Sequence, residues 1–192
     1  VNVADVSLGI LAGGRATRLG GIDKAWLQRD GKAQVSRIAQ RFEGRVASLL
    51  VSANQQLHRH AALGLAVIVD THRDIGPMGG LDALVSNCRT PWLLTVPVDL
   101  VDVNDCLLPT LWAHAGGAGA FAIDDDGPQP LVALWRVDGV HSTVADAISR
   151  KDFSMHALQS RLRMTAVRCA GVRFGNLNTP SDLATANIDA SP

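Results

Sequence analysis

Four short apolar runs rich in β-branched residues recur along the first half of this chain, separated by longer stretches of helical period. They are Val6 to Leu11, Leu49 to Val51, Leu65 to Val69 and Trp92 to Val96. Such runs are continuous rather than alternating, so they predict strands buried on both faces. Between them, Val35, Ile38, Ala39 and Phe42 fall at helical spacing, and so do Met78, Leu81, Leu84, Val85 and Cys88. A short helix is expected over 55–63. Strand–helix alternation of this kind requires a parallel sheet with helices on both sides, an α/β three-layer architecture. Gly44 ends the first helix.

After Asp99 the pattern changes. Gly119 to Ile123 and Leu131 to Trp135 flank "DDDGPQP", a turn-rich connection that predicts an antiparallel pair added to the sheet. Helices are expected over 140–150 and 154–162, and a last strand over 165–169. Thr179 reads as an N-cap with Pro180 at the first helical position. The segment from Ile188 to Pro192 reads as a loose tail. The 192 residues suit a single domain, 1–192, and this length buries a sufficient core without staples.

The first strand leaves directly into "LAGGRATRLGGIDK", Leu11 to Lys24. In an open α/β sheet, ligands bind at the carboxyl ends of strands. Glycines there let backbone N–H groups approach and converge on an anion. Arg15, Arg18 and Lys24 add positive charge, so a polyphosphate is the simplest guest. The loop lacks GxxxxGK[ST], and Gly13-Gly14 with Gly20 do not form GxGxxG, which excludes a P-loop and a dinucleotide-binding dehydrogenase. Asp70 and Asp99 follow buried strands at the same edge. A carboxylate there can hold Mg²⁺ together with substrate phosphates. "DIGPMGGL", Asp74 to Leu81, adds a second glycine-rich turn at that edge.

Composition removes other classes. Lys plus Arg and Asp plus Glu are each 18, so no electrostatic footprint for nucleic acid exists. No apolar run is long enough to cross a bilayer, and the first ten residues lack a basic leader region. Cys88, Cys106 and Cys169 are odd in number and form no CxxC, which argues for a reducing cytosol and against a zinc site. His58 and His60 stand two apart on an expected helix, a spacing that points them away from each other. No Ser-His-Asp or Cys-His constellation is present.

These motifs together carry a resemblance. "LAGGRATRLGGIDK" resembles the signature loop of nucleotidyltransferases with the Rossmann-like, glycosyltransferase-A-like fold, and its specific form is similar to the MobA-type molybdenum cofactor guanylyltransferases. The likeness continues through "DGK" at 30–32, "GPMGGL" at 76–81, "PVD" at 97–99, "QPLVAL" at 129–134 and "FGNLNTPSDL" at 174–183. It implies transfer of GMP from GTP to the terminal phosphate of molybdopterin, with or without molybdenum, releasing pyrophosphate. It implies a nucleotide-binding half over 1–100 and an acceptor-binding half over 101–188. Leu11, Ala12, Gly13 and Gly14 would surround guanine and phosphates, with Ser52 and Asp70 at the nucleoside. Lys24 and Arg18 would meet the phosphates, and Asp99 would ligate Mg²⁺. Asn176 and Asn178 would lie near the acceptor, with Gln129 and Pro130 bordering the same cleft. Molybdoenzymes or cofactor-delivery proteins are the implied partners.

The chain departs from the pattern at Ser52, where family members can carry Asn; a hydroxyl cannot reproduce an amide's bonds, and Asn54 is the nearby substitute. "GKAQ" and "DLVDV" depart as well, without removing a charge. Two rivals remain: a sister enzyme using CTP or another phosphorylated acceptor, and an inactive nucleotide-binding adaptor.

Overall fold

A computed structural model describes residues 1–14 and 22–188 of the chain. A short 3-10 turn, Val3–Asp5, leads into β1 (Val6–Leu11). A second 3-10 turn, Lys24–Trp26, precedes a small hairpin of β2 (Gln28–Arg29) and β3 (Lys32–Ala33). Then follow α1 (Gln34–Phe42), β4 (Ser48–Ser52), α2 (Leu57–Ala62), β5 (Ala66–Ile68), α3 (Pro77–Asn87) and β6 (Trp92–Pro97). The second half holds α4 (Leu107–His114), β7 (Gly119–Asp124), β8 (Gly127–Arg136), α5 (Val137–Ser149), α6 (Met155–Leu162), β9 (Thr165–Arg168) and α7 (Pro180–Thr185).

Seven strands form one sheet in the order β5-β4-β1-β6-β8-β7-β9. All pairings are parallel except those of β8, which runs against both β6 and β7. The chain grows from β1 to one side through β4 and β5, then returns to place β6 on the other side of β1. That reversal opens a crevice at the carboxyl ends of β1 and β6.

The period-2 geometry of β1 divides the core. Val6, Leu8 and Ile10 face α1 and α4, where they pack with Val35, Ile38, Phe42 and Leu111. On the other face Leu50, Leu93 and Trp135 pack with Met78, Leu81 and Leu84 of α3 and with Val140 and Val144 of α5. Helices on both sides therefore bury both faces, which is why the strands read as unbroken apolar runs.

Two readings of the sequence change. The connection between β7 and β8 is a tight turn at Asp125-Asp126, and β8 runs from Gly127 through the "GPQP" expected in a loop. Pro130 is tolerated because the register jumps there: Phe121 pairs with Ala133 but Ala122 with Gln129, leaving Pro130 in a bulge, while Pro128 pairs with Ile123 beyond the part of β8 that meets β6. Ile188 is buried and closes a small cluster with Leu27, Leu177 and Leu183, so the tail does not begin there. Asp30 and Gly31 of "DGK" both have positive φ and turn the β2–β3 hairpin that precedes α1. Helix α4 has no counterpart among the expected elements.

Candidate active site

The crevice is a cleft of about 590 Å³ at the carboxyl edge of the sheet, and each parallel strand beside the switch point delivers one piece of it. The exit of β1 supplies Leu11 to Gly14, and that of β4 supplies Ser52 and Asn54. Asp70 follows β5, and Pro97 to Asp99 follow β6. Backbone bonds beyond the strands keep these exits in register: Ala12 N donates to Ser52 O (2.9 Å), Ala53 N to Ile68 O (3.0 Å) and Val98 N to Leu11 O (3.0 Å).

At one end of the cleft, Asp70 is held by two short side chains. Ser52 Oγ donates to its Oδ1 (2.7 Å) and Asn54 Nδ2 to its Oδ2 (2.9 Å), while Asp70 N donates to Asn54 Oδ1 (3.2 Å). Ser52 is fully buried, so its hydroxyl serves the carboxylate, and the amide of this pair is supplied two residues on, by Asn54. Gly13 lies against this cluster; a Cβ there would be 3.2 Å from Asn54 Nδ2 and 3.3 Å from Asp70 Oδ2. No described residue lies within 4 Å of a Cβ at Gly14.

At the other end stands Lys24. Its Nζ donates to Asp99 Oδ2 (3.0 Å) and to Asn178 Oδ1 (2.7 Å). The two side chains retain 17% and 25% of their exposure, so the pair is shielded yet open to a ligand. Asp23 caps the 3-10 turn that carries Lys24 by accepting from Ala25 N (3.0 Å). Trp26, in the same turn, packs on His60 (ring centroids 4.7 Å apart), with the Arg59 guanidinium 4.0 Å over its ring. His60 is fully buried, neither ring nitrogen has a partner among the described residues, and burial pushes its pKa down. From α7, Asp182 Oδ2 accepts from Asn178 N and Thr179 N; these bonds hold its carboxyl below the usual range, with a smaller contribution from Lys24.

Thus Leu11, Ala12, Gly13, Gly14, Lys24, Ser52, Asp70 and Asp99 all line one cleft, and Asn178 reaches it through Lys24. Asn176 is exposed and does not line the cleft; its backbone bridges to Leu100. Gln129 binds Asp124 and Pro130 O accepts from Gln159, so neither borders the cleft, which Leu131 does. Arg15 and Arg18 lie outside the described residues. Sequence reasoning passed over Asp23 and Arg73 at the cleft wall and took Asp74 only as the start of a glycine-rich turn at that edge. The available signal was position: Arg73 and Asp74 belong to the β5–α3 connection, which must emerge at this edge.

Among the described residues no three His, Cys, Asp or Glu side chains converge as a metal cage. The donor set suits a hard cation held by one carboxylate and by ligand phosphates, and Asp99 is one of the cleft carboxylates that could hold it. No helix there is long and apolar enough to cross a membrane.

Residues 8–163 match the MobA-like NTP transferase domain. The chain belongs to that family. MobA-like relatives include a molybdenum cofactor guanylyltransferase of Yersinia pseudotuberculosis, 32% identical over 177 residues that cover 90% of each chain. Among solved structures, molybdopterin-guanine dinucleotide biosynthesis protein A of Archaeoglobus fulgidus superposes with a TM-score of 0.71, covering 94% of this chain and 96% of that one at 19% identity. A nucleotidyl transferase of Methanothermobacter superposes at 0.74, covering 94% of each chain at 17% identity. These two likenesses extend the MobA-like fold across both halves of the sheet.

Proposed function

We propose that this chain transfers GMP from GTP to the terminal phosphate of molybdopterin, forming the guanine dinucleotide and pyrophosphate. The observation that carries the reading is the placement of Lys24 beside Asp99 and Asn178, across one cleft from the open turn at Gly14. Family membership and the 32% identity to a protein named for this reaction support the choice of GTP.

In the transfer, an oxygen of the acceptor phosphate forms a bond to the α-phosphorus of GTP, and the bond from that phosphorus to the bridging oxygen of pyrophosphate breaks. The attacking oxygen is already ionised, so no strong base is needed. The barrier is set by bringing two polyanions together and by holding the charge that shifts to the leaving group. Backbone N–H groups of Gly13 and Gly14, and those at the start of α3, face anions favourably. Lys24, oriented by Asn178, sets its ammonium at the phosphates, and the family resemblance assigns Arg18 as a second phosphate-binding cation. Asp70, fixed by Ser52 and Asn54, holds the nucleoside.

Mg²⁺ bound by Asp99 together with substrate phosphates would supply Lewis-acid neutralisation of phosphate charge. The first half of the chain then serves the nucleotide and the second half the acceptor. Cys88, Cys106 and Cys169 are free thiols, as suits the cytosol.

The test is pyrophosphate release from GTP, molybdopterin and Mg²⁺. Release with GTP and not with CTP is the expected result. Release with CTP alone transfers the reading to a sister enzyme, and tight GTP binding without any release makes the chain an adaptor.

A further inference from the structure

Asp124, the last residue of β7, is a fully buried carboxylate. No salt bridge reaches it among the described residues. Its oxygens are held instead by hydrogen-bond donors. Asp126 N (3.0 Å) and Gln129 Nε2 (3.1 Å) donate to Oδ1, and Phe174 N (3.0 Å) donates to Oδ2. Burial opposes its ionisation, but the bonds from Gln129, Phe174 and Asp126 outweigh that and hold its carboxyl below the usual range. A buried charge is costly to retain unless it is fully bonded. Two of these donors are local, Asp126 in the β7–β8 turn and Gln129 near the start of β8. The third lies fifty residues away in the sequence.

Phe174 opens a segment laced to the active-site loop along its length. Its carbonyl accepts from Val101 N (3.0 Å) and Asp102 N (3.1 Å). Gly175 has positive φ and lies close to Val101, where a Cβ would sit 3.0 Å from Cγ2. Asn176 bridges Leu100, and Leu177 N donates to Asp99 O (2.8 Å). Asn178 then receives Lys24. The backbone that presents Asp99 and the amide that orients Lys24 therefore share one strip of chain, residues 174–178. Asp124 is the side chain that ties the head of this strip to the sheet.

We infer that Asp124 is a positioning residue for the transfer: by fixing Phe174 it sets strip 174–178, and through that strip the relative placement of Asp99 and Lys24. The kinetic part rests on the function proposed above, whereas the structural part does not.

Two variants test it. Asp124→Asn turns an amide toward either Phe174 N–H or the turn. Asp124→Ser keeps a short acceptor for the turn but does not span to Phe174, and it serves where the first variant fails to fold. Hydrogen exchange should rise about tenfold or more at Val101, Asp102, Phe174 and Leu177, with amides of β1 and β6 unchanged. In the folded variant kcat should fall about tenfold while KM for GTP stays within about twofold. Combined with Asn178→Ala, the two losses should be less than additive, because both act through one strip.

Unchanged exchange at those four amides overturns the inference. So does a uniform rise across the sheet with kcat per folded molecule intact, and so does full additivity. If the unaltered protein releases no pyrophosphate, the proposed function fails on its own, and the exchange pattern still decides the role of Asp124.

Discussion

Lys24 and Asp99 are 75 residues apart in sequence, yet Lys24 Nζ lies 3.0 Å from Asp99 Oδ2. Neither is placed by its neighbours in sequence alone. Lys24 rides on a 3-10 turn anchored by Trp26 and His60, and Asp99 rides on a loop stitched to residues 174–178. The pair joins a cation and a candidate metal ligand at the rim where phosphates would enter.

Lys24→Ala should lower kcat by about 10²-fold or more and raise the GTP dissociation constant only several-fold, since a charge aimed at the transferring phosphate acts most in the transition state. Lys24→Arg should restore little, because a planar fork does not replace a point charge set between Asp99 and Asn178. Steady-state kinetics beside calorimetric GTP binding separates the two effects. Unaltered turnover in Lys24→Ala would remove the residue from the mechanism.

Asp99→Asn and chelation by EDTA should converge. Each should abolish turnover, and excess Mg²⁺ should rescue the chelated protein but not the variant. Persistent pyrophosphate release in EDTA would rule out a divalent ion as part of the reaction.

Ser52→Ala removes the 2.7 Å bond to Asp70 from a buried site. The carboxylate is then under-bonded, which should cost about 1–3 kcal/mol of stability. GTP affinity should fall with kcat little changed at saturation, because Asp70 lies at the nucleoside end in the proposed reading. Denaturant melts and a GTP titration check this, and an unchanged affinity would detach Asp70 from the nucleoside.

Gly79, at the start of α3 behind the cleft, and Gly14, in its lining, should differ by the space around them. At Gly79 a Cβ would meet His72 O at 2.3 Å, a backbone atom that cannot swing aside, so Gly79→Ala should be destabilising by about 1–3 kcal/mol. Among the described residues nothing lies within 4 Å of the Cβ position at Gly14. Gly14→Ala should therefore keep the melting temperature and lose GTP affinity if phosphates approach that backbone. Equal melting temperatures for the two variants would contradict this account.

His60 makes stability depend on pH. Its folded pKa is lowered, with burial the largest cause, so the native ring stays neutral where the unfolded chain takes up a proton. Below the ordinary histidine value of about 6.5 the unfolded state binds more protons, and stability falls as pH falls into that window. Above it the contribution is constant. Urea melts at pH 5.5 and 7.5 should show a drop in the acid that His60→Phe reduces. An identical drop in the variant would assign it to other groups.

Much of this architecture is written locally. Unbroken apolar runs announce strands buried on both faces, and Thr179-Pro180 announces the start of α7, where Thr179 and Asp182 form a capping box. The motif residues Gly13, Gly14, Lys24, Asp70 and Asp99 could be assigned to one edge from strand order alone, because parallel strands share a carboxyl end. Elements whose signal is not local are read only in part or missed. Strand β8 is expected over Leu131 to Trp135, but its first four residues are hidden by two prolines, of which Pro130 sits in a bulge. Helix α4 carries a proline within its first turn and a small apolar face made by Leu107, Leu108 and Leu111.

Position along the chain was thus decided by propensity and hydrophobic period, which act over a few residues and can be read from them. Mutual placement was not. That Ser52 serves Asp70, that Asn178 turns Lys24, and that Asp124 reaches Phe174 are facts of packing between segments 18, 154 and 50 residues apart. Such contacts arise only when strand order and loop docking close the chain on itself, and no local pattern encodes the distance between two side chains brought together that way.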